Sequence, residues 1–287
     1  MATEDRATIA AEKAKLRNQL ITRLLDEGEN GLALKLQHCG EELPLVCTCC
    51  GQTKIVHTRC DQKWCPSCQH ALAARTVERF QAACKAAQWP LSVTFTVIGY
   101  SQATGIRELR RAWARFRRLR WFRRCTPGGA LGFEVTKRGK TFHYHAHAFL
   151  DCRWLSVTVP EPRRASDLKQ RGLEACKEVA EQWSLATRRK ASVKVRRIYK
   201  RDGGDVRQAL AECFKYSIKG SDLADATKIR SNVGDIIRAI CATRMVTTFG
   251  TFFGRAPKRR KQSRPCEHCH EFAWLPEKFV PKTRRRK

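Results

Sequence analysis

The sequence predicts an α+β protein, with a central antiparallel sheet, flanking helices and an N-terminal zinc-binding module. Three observations carry this. Between residues 91 and 219, segments of strand and helix character alternate in the order strand, helix, hairpin, helix, strand, helix. Two of the strand segments are joined by the short turn KRGK, which makes them antiparallel neighbours. Cysteines crowd residues 45–70, LVCTCCGQTKIVHTRCDQKWCPSCQH, with metal-ligand spacing.

Taken in order, residues 6–37 carry apolar residues at helical period (Ile9, Leu16, Leu20, Leu24, Leu32) within dense charge, which predicts one or two amphipathic helices. After the cysteine-rich stretch, ALAARTVERFQAACKAA reads as a helix that ends near Trp89-Pro90. LSVTFTVIG follows as a strand, and Arg107–Arg124 as an arginine-loaded helix. Gly128-Gly129 predicts a turn, and Leu131–Thr136 with Thr141–Leu150 a hairpin. Residues 166–187 read as a helix bearing Trp183, ASVKVRRIY as a strand, RDGGD as its turn and Val206–Lys219 as a helix. The expected division is 1–44, helical; 45–88, cysteine-rich module and helix; 89–254, the α+β domain; and 255–287, a basic arm with a C-x-x-C pair.

Lys and Arg number 57 against 27 acidic residues, a formal charge of +30 spread along the chain. Such a charge calls for a polyanionic partner. No run approaches the roughly 20 apolar residues of a spanning helix, and the N-terminus MATEDRATIAAEKAKL has no signal-peptide core. The expectation is a nucleic-acid-binding protein of the cytoplasm with no membrane partner.

In that setting, 15 cysteines with C-x-x-C pairs point to metal rather than disulfides. Cys47-x-x-Cys50 and Cys65-x-x-Cys68 are separated by 14 intervening residues, close to a structural zinc ribbon. Cys60 competes, so the zinc ligands are expected to be four of Cys47, Cys50, Cys60, Cys65 and Cys68, with Cys49 and His57 as spares. Cys266-x-x-Cys269, beside His268 and His270, either anchors a second zinc, borrowing an N-terminal cysteine and clipping the tail to the knot, or stays unliganded. Cys84, Cys176 and Cys241 read as small core residues.

HYHAHAFL, residues 143–150, sets three of the chain's eight histidines on alternating positions. On a strand, His143, His145, His147 and Phe149 face one way, and Tyr144, Ala146, Ala148 and Leu150 the other. Adjacent neutral imidazoles bind a divalent cation, and a carboxylate on the hairpin partner would complete a site with open positions. Glu134 is the nearest in sequence, but hairpin register decides whether it shares the face. A bland alternative is a histidine-rich surface strand.

In DVRQALAECFKYSIKGSDL, Val206, Leu210, Cys213, Phe214 and Ser217 form the buried stripe, with Glu212, Tyr216 and Lys219 together beside it. A phenol next to a lysine and a carboxylate suits phosphoryl transfer to tyrosine. An amphipathic Tyr at the core margin would look the same. RELRRAWARFRRLRWFRR interleaves arginine with Trp113, Phe116, Trp121 and Phe122, read as core aromatics beneath a phosphate-facing surface, with base stacking on Trp121 as the alternative.

Three motifs in this order resemble the HUH endonucleases, in particular the rolling-circle replication initiators of small plasmids and related phage and transposon enzymes. They are the strand LSVTFTV, the segment FEVTKRGKTFHYHAHAFL, and Glu212, Tyr216 and Lys219 in ECFKYSIKGSDL, and the likeness spans roughly Cys47 to Gly254. The cysteine run RCDQKWCPSC is also similar to that of the initiators. Many relatives have Pro where this chain has Tyr144.

The resemblance implies an HUH nuclease fold over 89–254 and a site-specific DNA endonuclease and strand transferase. It implies His145 and His147 as the core ligands of Mg²⁺ or Mn²⁺, Glu134 as third ligand, and His143 as a ligand or a residue behind them. Tyr216 would attack an origin phosphodiester to leave a 5′-phosphotyrosyl link and a free 3′-OH. Lys219 would assist at the phosphate or metal, and Glu212 would activate water at release. DNA, host helicase and host polymerase are the implied partners. A transposase or relaxase of the same superfamily, or a non-catalytic zinc-ribbon nucleic-acid-binding protein, are the alternatives.

Overall fold

The computed structural model describes residues 2–97, 104–138, 141–198, 204–214, 223, 232–253, 265–271 and 274–276. Helices α1 (Ala2–Asp26) and α2 (Asn30–Gln37) lead into strands β1 (Glu42–Cys47) and β2 (Thr53–His57) and helix α3 (Gln69–Lys85). Then come β3 (Pro90–Val97), α4 (Gly105–Phe116), α5 (Arg120–Cys125), β4 (Gly128–Arg138) and β5 (Thr141–Asp151). The chain continues through α6 (Leu168–Thr187), β6 (Ala191–Arg197), α7 (Gly204–Phe214), α8 (Val233–Cys241), β7 (Val246–Gly250) and β8 (Trp274–Pro276). The result is a mixed α+β structure with two antiparallel sheets and flanking helices. One sheet has the order β6-β3-β5-β4-β7, the other β2-β1-β8.

Strand alternation gives the larger sheet two unlike faces. Val93 and Phe95 of β3, Leu131 and Phe133 of β4, and Tyr144, Ala146 and Ala148 of β5 form an apolar face buried against α4, α5 and α6. Phe95 anchors it, its ring centroid 4.9 Å from Trp183 and 5.3 Å from Phe116. Helix α4 supplies Ile106, Leu109, Ala112, Trp113 and Phe116 at helical spacing, and its arginines stay outside.

A second cluster forms on the opposite face, where Ala130 and Phe149 are covered by Val77, Phe80 and Cys84 of α3 and Val206, Leu210, Cys213 and Phe214 of α7. This packing covers one end of that face. Helix α7 comes so close that a Cβ on Gly132 would lie 1.8 Å from the Cys213 carbonyl oxygen.

Several elements differ from the sequence expectation. The single helix over Arg107–Arg124 is two helices, because a continuous helix at about 100° per residue would set Phe122 opposite Trp113. The break at Leu119 turns Phe122 inward, where it is 1 % exposed. Trp121 packs edge-on against Phe116 and Phe122. Gly128 and Gly129 do not turn the chain but begin β4, in register with Asp151 and Leu150. A Cβ on Gly129 would lie 2.6 Å from the Phe149 carbonyl oxygen, so the bare backbone is what fits beside β5.

The hairpin β1–β2 sits inside what the sequence shows only as a cysteine knot. Helix α8, which the sequence reading leaves unassigned, is capped by Asn232, whose side chain accepts from the Asp235 amide, and it buries Ile236, Ile237 and Ile240. Cys84 is buried as expected, Cys241 is exposed and Cys176 lies between. Among the described residues no helix is long and apolar enough to cross a membrane.

Gly132→Ala is expected to destabilise the fold by about 1–3 kcal/mol through overpacking against α7, read as a lowered urea midpoint. An unchanged midpoint would mean that α7 does not press on β4 as described.

Candidate functional site

Strand β5 runs through the middle of the larger sheet, between β3 and β4, so both of its neighbours can orient its histidines. Tyr144, Ala146 and Ala148 are fully buried, while His143, His145 and His147 lie half-buried on the other face. Register settles what parity alone left open: Glu134 is directly opposite His145 and therefore shares the histidine face.

The ring nitrogens are held from both sides. Thr94 Oγ1 lies 3.2 Å from His147 Nδ1, and Thr96 Oγ1 lies 3.0 Å from His145 Nδ1. On the β4 side, His147 Nε2 is 2.7 Å from Glu134 Oε2 and His145 Nε2 is 3.0 Å from Thr136 Oγ1. Glu134 is 4 % exposed, so the carboxylate and its imidazole partner pair in a poorly solvated place. The rings of His145 and His147 stand 6.1 Å apart, and that of His143 lies 6.4 Å beyond His145.

The three threonines were not singled out from the sequence. The signal for Thr94 and Thr96 is the alternation in VTFTV, which puts them on the face that Val93 and Phe95 leave, and Thr136 shares the face of Glu134 by the same alternation.

Two imidazoles and a carboxylate are a donor set suited to a divalent ion with open positions, and these three side chains adjoin on one sheet face. They are poised around the site without closing on a common point. Among the described residues, the sets whose ligand atoms all lie within 4.8 Å of one another are thiols.

The histidine face is basic on its other flank. Lys194 of β6 pairs with Thr94, and Arg196 with Ser92, so both point to the histidine side. Both are exposed. Beside them, a groove of about 330 Å³ is lined by Ser92, Arg196, Arg197, Gln208 and Glu212. Glu212 is thus on the exposed side of α7, next to the strand that carries Thr94. Tyr216, Lys219 and Ser217 lie outside the described residues, as do the basic stretches 255–264 and 277–287.

The cysteines sort into two tetrads rather than one. Cys39, Cys60, Cys65 and Cys68 form the first, and Cys47, Cys50, Cys266 and Cys269 the second. Cys39 was not foreseen, because it stands alone in the sequence, 21 residues before Cys60. The expected set of five is split because Cys47 and Cys50 sit at the far end of β1, whereas Cys60, Cys65 and Cys68 gather at the start of α3.

Four sulfurs at about 2.3 Å from one zinc stand roughly 3.8 Å apart in a tetrahedron. Cys39 Sγ lies 3.6 Å from Cys65 Sγ and 3.4 Å from Cys68 Sγ, and Cys60 Sγ 3.7 Å from Cys68 Sγ. In the second tetrad, Cys47–Cys269 and Cys50–Cys266 are each 3.5 Å. Amides of Cys50 and Cys49 pull the Cys47 thiol down to about 6, against the opposing effect of burial. Both tetrads therefore fit structural zinc, and neither has a coordination position left for substrate.

Residues 15–97 match the family model of a transposase zinc-binding domain of the IS91 type. The matched segment contains all of the first tetrad and half of the second. Comparison with curated proteins and with solved structures finds no match.

In metal-free buffer, a double-mutant cycle of Glu134→Ala and His147→Ala is expected to give a coupling of about 1.5–3 kcal/mol in unfolding free energy. Additive effects of the two substitutions would contradict the pairing.

Proposed function

We propose that the protein is a DNA-nicking and strand-transfer enzyme of the rolling-circle type, acting through Tyr216 at the histidine face. The observation that carries this reading is the convergence of His145, His147 and Glu134 on one face of the central sheet, with α7 packed at its edge. The last described residues of α7, Cys213 and Phe214, pack beside β4.

His145, His147 and Glu134 are the residues that would hold Mg²⁺ or Mn²⁺, with His143 adjoining. When bound, the ion would polarise the scissile phosphate and stabilise charge on its oxygens. Thr94 and Thr96 fix the two Nδ1 atoms and so direct the Nε2 atoms toward β4, that of His147 to Glu134 and that of His145 to Thr136, the outer-shell orientation that ligand histidines require. Lys194 and Arg196 would seat the phosphates of the incoming strand.

Tyr216 Oη then loses its proton and forms a bond to phosphorus as the P–O3′ bond breaks and the departing O3′ takes up a proton, leaving a 5′-phosphotyrosyl link and a free 3′-OH. Because the phosphodiester energy is kept in that link, a returning 3′-OH can reseal the strand. Release instead needs water, activated by Glu212, and Lys219 would support the phosphate during either step.

The match to a transposase zinc-binding domain favours a transposase among enzymes of this chemistry. The replication-initiator reading rests on the motif order and the run RCDQKWCPSC. It shares the same catalytic steps and differs in its target, a replication origin in place of the ends of a mobile element. Host helicase and polymerase would then use the free 3′-OH. The nuclease is proposed to span 89–254; the expected boundary at 44/45 is crossed by β1, and the segment around Cys266 and Cys269 joins the cysteine module in place of standing apart.

Mn²⁺ and single-stranded oligonucleotides tiled across the DNA flanking the gene test the proposal. The wild type is expected to give a nick and a covalent 5′-adduct mapping to Tyr216 by mass spectrometry, and Tyr216→Phe to lose both while still binding DNA. A nick that survives Tyr216→Phe would sink the mechanism, and tight binding without cleavage under any divalent ion would favour a non-catalytic binding protein. Adducts on origin DNA rather than on element ends would select the initiator.

A further inference from the structure

Cys266 and Cys269 lie more than 200 residues from Cys47 and Cys50, and the family match ends at residue 97. Nothing in that match accounts for the C-terminal pair. Yet the two C-x-x-C loops have the same backbone.

In the first, the Cys47 amide donates to Gln52 O at 2.8 Å and the Gly51 amide to Cys47 O at 2.9 Å. In the second, the Cys266 amide donates to Glu271 O at 2.8 Å and the His270 amide to Cys266 O at 2.8 Å. The residue that follows each pair has a left-handed backbone, Gly51 at φ 73° and His270 at φ 59°. Within each loop, the amides two and three residues on donate to the first sulfur: Cys49 and Cys50 to Cys47, and His268 and Cys269 to Cys266. A non-glycine residue in that conformation is uncommon and marks a loop shaped by its surroundings.

These two loops face one another. Cys47 and Cys266 are each 1 % exposed, and sulfurs from opposite loops pair at 3.5 Å in both directions. Beside them, β8 adds to β1 with Cys47 opposite Trp274, and Lys54 Nζ sits 3.6 Å from the centre of the Trp274 ring. Three paired residues are at the short limit of strand length and hold this segment only weakly by themselves. A tetrahedral ion between two matched loops supplies what that strand lacks, and four thiolates saturate it.

We infer that Cys47, Cys50, Cys266 and Cys269 bind a second structural zinc ion, which staples the C-terminal segment onto the β1–β2 hairpin and makes it the third strand of the zinc module. The protein then holds two zinc ions, the first at Cys39, Cys60, Cys65 and Cys68. The ligands of the second come from positions 216 and 222 residues apart, so the ion closes most of the chain into one loop. This inference is independent of the nicking activity.

Full-length protein purified under reducing conditions with zinc, measured by native mass spectrometry and elemental analysis, tests it. Two zinc ions per chain are expected, falling to one in Cys266→Ser/Cys269→Ser, with residues 265–276 becoming open to proteolysis. One zinc in the wild type, two in the double variant, or disulfides joining Cys47 to Cys269 and Cys50 to Cys266 would each overturn it.

Should the double variant fold poorly and lose both ions, cobalt-substituted Cys269→His decides. A blue shift of part of the visible spectrum, with metal content unchanged at two, supports the assignment, and a spectrum identical to that of the wild type contradicts it.

Discussion

Everything at the candidate site depends on β5 being a central strand with two incompatible faces. Tyr144, Ala146, Ala148 and Leu150 are fully buried, and each removes apolar surface from water on the side that α4 and α6 cover. That burial fixes the register, because a one-residue slip would bury the three imidazoles and expose the apolar set. The register in turn brings Glu134 opposite His145 and Thr94 opposite His147. The hydrophobic core thus aims the polar site.

Helix α7 depends on the same sheet from the other side. Phe149 shares the histidine face but is buried, because Val206, Leu210, Cys213 and Phe214 pack over it with Phe80. Gly132 lets the end of the helix approach β4 next to His147, its partner across the ladder. The described end of α7 is thereby tied down beside the histidines. Lys194 and Arg196 on β6 give the same face a positive border, suited to a nucleic-acid backbone.

Much of this was legible in the sequence, and for physical reasons. A period of two in HYHAHAFL and in VTFTV identifies strands and assigns their faces, and helical periodicity identifies the stripe of α7 from Val206 to Phe214. The role of Thr94, Thr96 and Thr136 was not legible, because contacts across strands follow from pairing order, and a single sequence does not contain it. The break between α4 and α5 was hidden because arginine-rich helices with interleaved aromatics look continuous until Phe122 has to be buried. The split of the cysteines into two tetrads was hidden for a related reason: Cys39 and the pair Cys266 and Cys269 acquire neighbours only through long-range folding.

The cysteine tetrads and the histidine face play different parts. Saturated thiolate sites hold backbone in place, whereas two imidazoles and a carboxylate leave positions open for a phosphate. The most direct test of the central claim is electron paramagnetic resonance of Mn²⁺ added to the zinc-loaded protein. Hyperfine couplings to two imidazole nitrogens are predicted for the wild type, with one lost in His145→Ala and one in His147→Ala. Manganese bound through oxygen alone, or nitrogen couplings unchanged in both variants, would contradict the account.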